Sequence, residues 1–177
     1  DNRWINSNYK NILDNSNIDI KNMINRLTSA YEYYSIRRKT FNKIISHGDL
    51  CMSNILWSDE MNIIKFIDPK GSEYMILDEY YDIAKLSHSI VGNYDQIIYE
   101  NYNIDFNSLK LKFFTEPNNY FLNYFNKYLS DKKIDFELQR VYEASIFISM
   151  LYNHLDDDKR VFAFILNCNT ILQSLGF

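Results

Sequence analysis

The chain is short of glycine and shorter of histidine, with four Gly and three His in 177 residues. It has two Cys, Cys51 and Cys168, too few for a disulfide framework or for a zinc site of their own. That shortage fits a reducing, cytoplasmic setting. No apolar run approaches the roughly 20 residues of a membrane span, and no signal-peptide pattern is found. No basic stripe accompanies the net charge of −4, which argues against a nucleic-acid partner. Internal repeats and low-complexity linkers are missing too, so one domain over 1–177 is expected. Since the first residue is Asp1 and not Met, that domain is expected to be part of a longer protein. What the chain does have is apolar and aromatic: 15 Tyr and 12 Phe within a composition that is 46% hydrophobic. Such a composition excludes disorder and supplies a core.

Residues 1–18 are polar and Asn-rich, and read as irregular, with at most a short helical turn. From Asp19 the pattern changes. Ile20, Met23, Ile24, Leu27, Tyr31 and Tyr34 recur at helical spacing, so 19–40 reads as an amphipathic helix with Asp19 as N-cap. Three short β-type runs follow, at 43–46, 54–58 and 63–67. The last two flank "DEMN", which reads as a hairpin turn. Residues 77–92 carry helical periodicity, with Gly92 as the expected stop. The stretch 105–117 alternates like a strand at Leu109, Leu111 and Phe113 but is ambiguous, and Pro117 closes it. Helices are expected near 117–129, 135–154 and 156–175, the last with Asp156 to Asp158 at its positive end. The class is α+β, mostly α.

Polar chemistry concentrates in "SHGDLCMSNILWSDEMNIIKFIDPKG", residues 46–71. Asp49, Asn54 and Asp68 stand at the ends of short apolar runs, where a loop can aim them into one cavity. Two carboxylates and an amide carbonyl form a hard oxygen set, which suits Mg²⁺ and not zinc. Magnesium keeps waters and substrate phosphates as ligands, so two or three protein oxygens suffice. The spacing from Asp49 to Asn54 equals that of the protein-kinase catalytic loop H-R-D-x-x-x-x-N, and Asp68-Pro69-Lys70-Gly71 stands where D-F-G would follow. Gly48 replaces the Arg that reads a phosphorylated activation loop in many protein kinases.

With "SHGDLCMSNIL", "KFIDPKG" and "YYDIAKLSH" in place, the chain resembles the aminoglycoside phosphotransferase and choline kinase family from about residue 40 onward. Its wording is most similar to bacterial members associated with capsule or surface-polysaccharide synthesis. The resemblance implies a kinase-like C-terminal lobe with a small β-hairpin by the catalytic loop. It implies that Asp49 orients or deprotonates an acceptor hydroxyl, and that Asn54 and Asp68 hold Mg²⁺. It further implies that His47 braces the loop and Asp82 anchors it. Asp78 and Glu79 match nothing in the motif. ATP would be the phosphoryl donor. The acceptor would be a sugar, an amino alcohol or a surface-polysaccharide precursor.

Other residues have plainer readings. His88 and His154 read as packing or surface groups, Cys51 as an apolar filler, and Lys70 as a solvated cation. The family's nucleotide lobe has no counterpart here: no Gly-rich phosphate loop and no strand lysine precede "IISHGD", so the nucleotide-binding residues are unknown. The expectation is a phosphotransferase lobe that is inactive in isolation and partnered by a missing N-terminal lobe. The rival is a non-catalytic kinase-like module for binding or assembly within a larger protein.

Overall fold

The computed structural model describes residues 7–16, 18–71, 76–116 and 118–177. It is α+β and mostly helical, with three separate antiparallel strand pairs. Helices α1 (Ser7–Asn15) and α2 (Ile20–Ser35) come first, followed by strand β1 (Lys43–Ile45). A single 3-10 turn (Met52–Asn54) leads into the hairpin β2 (Ile55–Ser58) and β3 (Ile63–Phe66). Next are β4 (Ile76–Asp78), α3 (Glu79–Ile90) and α4 (Tyr94–Ile98). A second hairpin, β5 (Tyr102–Asp105) and β6 (Lys110–Phe113), precedes α5 (Asn119–Asp131), α6 (Phe136–Ser149) and α7 (Asp158–Ser174).

Helix α7 is the centre. Val161, Phe162, Ala163, Phe164, Ile165 and Leu166 are all fully buried, so consecutive positions on every side of the helix face protein. A helix apolar all round belongs inside a bundle. Helices α1, α2, α4 and α6 and strand β6 pack on it. Capping follows the expected chemistry. The Asp19 carboxylate accepts from the Asn22 N–H at 2.8 Å, and that of Asp157 from the Arg160 N–H at 3.0 Å. Helix α2 ends at Ser35, several residues short of the expected 40, because Ile36 is exposed and starts a turn.

The expected irregular stretch 1–18 is corrected where it is described: 7–15 is helix. Its apolar side chains are few but well placed. Leu13 is buried in the core, and the Tyr9 ring stacks on Phe162 at 4.8 Å. Tertiary packing outweighs the poor helix propensity of an Asn-rich segment. Helix α3 does stop just short of Gly92, as expected, with Val91 as its C-cap. Gly92 does not adopt a left-handed conformation as a stop glycine would. It is small because α6 passes close by: a Cβ there would lie 2.5 Å from Glu143 Oε1 and 2.8 Å from the His88 carbonyl oxygen.

The strand at 43–46 does not join the hairpin. It pairs with β4, which the sequence reading merged into the following helix, in the register Lys43↔Asp78, Ile44↔Leu77, Ile45↔Ile76. The hairpin itself forms as expected, with Ile55↔Phe66 and Ser58↔Ile63. The alternation at 109–113 resolves as strand β6, paired to β5. Pro117 lies outside the described residues. No helix among the described residues is long and apolar enough to cross a membrane.

Candidate functional site

The β1–β4 pairing sets the site. The chain leaves β1 into the 46–54 loop, while β4 runs straight into α3 beside it. Asp78 caps α3 through the Tyr80 N–H at 2.9 Å. Its other oxygen takes the Arg38 guanidinium at 2.5 Å, and Arg38 also reaches Glu79 at 3.1 Å. Asp78 and Glu79, which the motif left unassigned, thus tie the start of α3 to the end of α2.

One face of α3 then contacts the loop residue by residue. Positions 82, 85 and 89 follow i, i+3, i+7 spacing and share that face. The Asp82 carboxylate accepts the backbone N–H of His47 at 2.7 Å and of Gly48 at 2.9 Å. Lys85 Nζ lies 2.7 Å from Asp49 Oδ1. The Ser89 hydroxyl accepts the Met52 N–H at 3.3 Å. Gly48 has φ +75°, a conformation that costs an L side chain energy and glycine none. That is the physical reason for glycine in this loop: its backbone must turn so that two successive N–H groups converge on one carboxylate.

His47 accepts the Asp49 N–H on Nδ1 at 3.3 Å and lies edge-on to Phe66, so it braces the loop. Asn54 Nδ2 donates to the Asp49 carbonyl at 2.9 Å. Its amide nitrogen is therefore engaged, and its carbonyl oxygen is the atom left for a cation. Two backbone bonds gather the parts: Ile67 N–H to Asn54 O at 3.0 Å, and Lys70 N–H to His47 O at 2.9 Å. They bring Asp68, next after Ile67, to the hairpin end where Asn54 sits. Asp68 has φ +54°, a strained value tolerated by Asp and used here to fold the chain back to the loop. It is exposed. Among the described residues no group of three or more His, Cys, Asp or Glu side chains forms a metal cluster. Asn54 Oδ1 and the Asp68 carboxylate are both hard oxygen donors, the type that suits a magnesium ion whose other ligands are phosphate and water.

The electrostatics centre on Asp49. Burial alone would raise its pKa, but the hydrogen bond and charge of Lys85, with a further contribution from Lys70, outweigh burial and hold the carboxyl below its ordinary value. Lys70 Nζ is 3.8 Å from Asp49 Oδ2, on an exposed side chain. His88, packed against Tyr94 at 4.3 Å between ring centres, is pushed down to about 3, first by burial and then by the Lys85 charge. Its Nδ1 meets the Lys85 carbonyl oxygen, so Nδ1 carries the proton. Cys51 is buried with its Sγ 3.1 Å from the Ser53 hydroxyl.

Beyond the loop lies a cleft of about 380 Å³ lined by Met52, Ser89, Asp95, Tyr99, Glu116 and Phe121 among others. Burial raises the Asp95 carboxyl despite a hydrogen bond from Ser89. Ser89 thereby joins the cleft to the 46–54 loop, since it also receives the Met52 N–H. The described lining residues carry two carboxylates and no basic side chain.

Lys85, Ser89 and Asp95 escaped the sequence reading. The signal for the first two was present: once Asp82 is placed under the loop, the i+3 and i+7 positions of its helix must lie there too. Comparison of the chain with family models, curated proteins and solved structures found no match.

Proposed function

We propose that this chain is the catalytic lobe of a kinase-like phosphotransferase, moving the γ-phosphoryl group of ATP to a hydroxyl of a small molecule. The observation that carries the reading is the position of Asp49. Its ionised carboxylate is held on a loop that is pinned from α3 and tied by two backbone hydrogen bonds to the hairpin end bearing Asn54 and Asp68. Phosphoryl transfer passes through a loose transition state and needs positioning and charge neutralisation more than covalent help. Asp49 orients the acceptor hydroxyl and receives its proton. Asn54 and Asp68 would hold Mg²⁺, which when bound supplies charge neutralisation on the phosphates. The cleft that Met52 lines, three residues along the loop from Asp49, is taken as the approach for the acceptor; Asp49 itself is not among its lining residues. With Asp95 and Glu116 in its lining and no basic group among the described lining residues, it favours a sugar or amino alcohol over an acceptor that is already phosphorylated.

The exposed side chains of Leu56, Trp57, Ile64 and Phe66 leave both faces of the β2–β3 hairpin uncovered. In a kinase-like protein that surface borders the nucleotide-binding lobe, so a further segment of the parent protein is the partner proposed here. The same surface favours the second reading, a non-catalytic binding or assembly module. Asp49→Asn in the full-length protein separates the two. Under the first reading the near-isosteric variant keeps its melting temperature and Mg·ATP affinity, while kcat falls by about 10²–10⁴. Unchanged turnover would remove Asp49 from the chemistry.

A further inference from the structure

The buried partner of Asp49 has no role in the reading above. Lys85 sits on α3 with its side chain almost out of solvent, 9% exposed. An ammonium so placed costs several kcal/mol unless it is paired, and an apolar side chain would serve stability as well or better. The ion pair that Lys85 makes among the described residues is with Asp49 Oδ1. The ion pair at Asp49 Oδ2 among the described residues is with Lys70, 3.8 Å away and beyond hydrogen-bond reach on an exposed side chain.

We propose, on the footing of the phosphotransferase reading, that Lys85 is the positioning residue of this site: it occupies Oδ1 of Asp49 and so leaves Oδ2 as the oxygen that receives the acceptor's proton. The step then balances in a definite way. The acceptor O–H bond breaks as its oxygen bonds the γ-phosphorus. The bond from that phosphorus to the ADP oxygen breaks, and ADP keeps the electron pair. The proton passes to Asp49 Oδ2 and from there to water. The Lys85 charge makes Asp49 a weak base, so the hydroxyl keeps its proton until the new O–P bond is well formed. That timing suits a loose transition state, which demands little nucleophilic push. The groups that face Asp49 are Lys85, His88 and Tyr81 from α3, Lys70 from the hairpin return and Tyr94 from α4. His88, pushed down to about 3, and Tyr94, pushed up to about 12, stay neutral over the working range. Tyr81 is raised by burial and stays neutral as well.

The test uses Lys85→Met, which keeps the chain's length and removes its charge, and Lys85→Arg, which restores the charge. The first readout is a thermal melt of each variant, which shows that it folds. The second is transfer from Mg·ATP in the full-length protein, with D-glucose, D-glucosamine, ribitol and choline as acceptors. Lys85→Met lowers kcat by about 10²–10⁴ at unchanged KM for Mg·ATP. Lys85→Arg returns kcat toward its wild-type value. A folded Lys85→Met variant with wild-type kcat overturns the proposal. So does a folded Lys85→Arg variant whose kcat falls by the same factor, whether or not Lys85→Met folds. A wild type that transfers phosphate to no acceptor sinks the phosphotransferase reading, and reduces Lys85 to a structural ion pair.

Discussion

Asp82→Ala is the sharpest probe of how the loop is held. The carboxylate is buried and accepts two backbone N–H groups, from His47 at 2.7 Å and Gly48 at 2.9 Å. Hydrogen bonds to a charged group contribute about 1.5–3 kcal/mol each, and a buried donor left without a partner costs about 1–3 kcal/mol. The Gly48 N–H is buried and would be stranded, whereas the His47 N–H is partly buried and can recover water. One full loss and one partial loss give a destabilisation of about 2–4 kcal/mol. At this chain length about 2–4 °C of melting temperature accompany each kcal/mol, so a drop of about 5–12 °C is expected. Urea unfolding measures the free energy, and amide hydrogen exchange locates it. Protection should fall over 47–54 and persist in α7, which is buried on every side. Asp82→Asn keeps one acceptor oxygen and turns an amide NH₂ toward the second donor, so it should cost nearly as much as Asp82→Ala. A loss under about 0.5 kcal/mol, within the range of ordinary surface substitutions, would refute the claim that this carboxylate sets the loop.

Three further outcomes follow from the same geometry. Asp68→Ala in the full-length protein should weaken Mg²⁺-dependent ATP binding in calorimetry, and undiminished affinity would take Asp68 out of the metal set. Gly92→Ala forces a Cβ to within 2.5 Å of Glu143 Oε1 and 2.8 Å of a backbone oxygen; overpacking of this kind costs about 1–3 kcal/mol, and a neutral result in thermal melts would contradict the close approach. His88 titrates at about 3 when folded, against about 6.5 when unfolded. Its depressed value means that the stability it carries is complete above about pH 6.5 and is lost as the pH falls toward 3, at up to about 1.4 kcal/mol per pH unit. His88→Phe should remove one proton's worth of that slope between pH 4 and 6, as read from urea midpoints against pH, and an unchanged slope would show that another group carries it.

The hairpin was legible because two apolar runs flank a polar turn, and period-2 alternation over four residues needs no knowledge of the rest of the chain. The capped helices α2 and α7 were legible for a like reason, since Asp19 and Asp157 announce themselves locally. What escaped depends on distant partners. Residues 7–15 fold as a helix only because Phe162, some 150 positions later, offers a ring for Tyr9. β4 is three residues long and exists because β1 lies beside it. Gly92 looks like a stop when read along the chain, and only Glu143 across from it explains the absent side chain. Asp49, Asn54 and Asp68 stood out by residue type and spacing. Lys85 did not, because a lysine on an amphipathic helix reads as solvated until the loop is folded over it.

Helix α3 explains why these parts belong together. Its loop face carries Asp82, Lys85 and Ser89, and its opposite face carries Tyr80, Ala84, Ser87 and His88 into the core against α6. On that inner side the Ser87 hydroxyl donates to the buried Glu143 at 2.5 Å, Gln139 reaches the same oxygen at 3.3 Å, and Arg140 holds the other at 2.5 Å. The Tyr80 hydroxyl accepts the Asp135 N–H at 2.9 Å, where α6 begins. A helix fixed this way at both ends can neither rotate nor slide by a residue without breaking the Ser87 bond to the buried Glu143 and the Tyr80 bond to the start of α6. The register of α3 is therefore set by the core. With the register set, the four contacts to residues 47, 48, 49 and 52 follow, and with them the direction of the Asp49 carboxylate. The precision of the loop comes from the packing beneath it, and the loop needs only one glycine to conform.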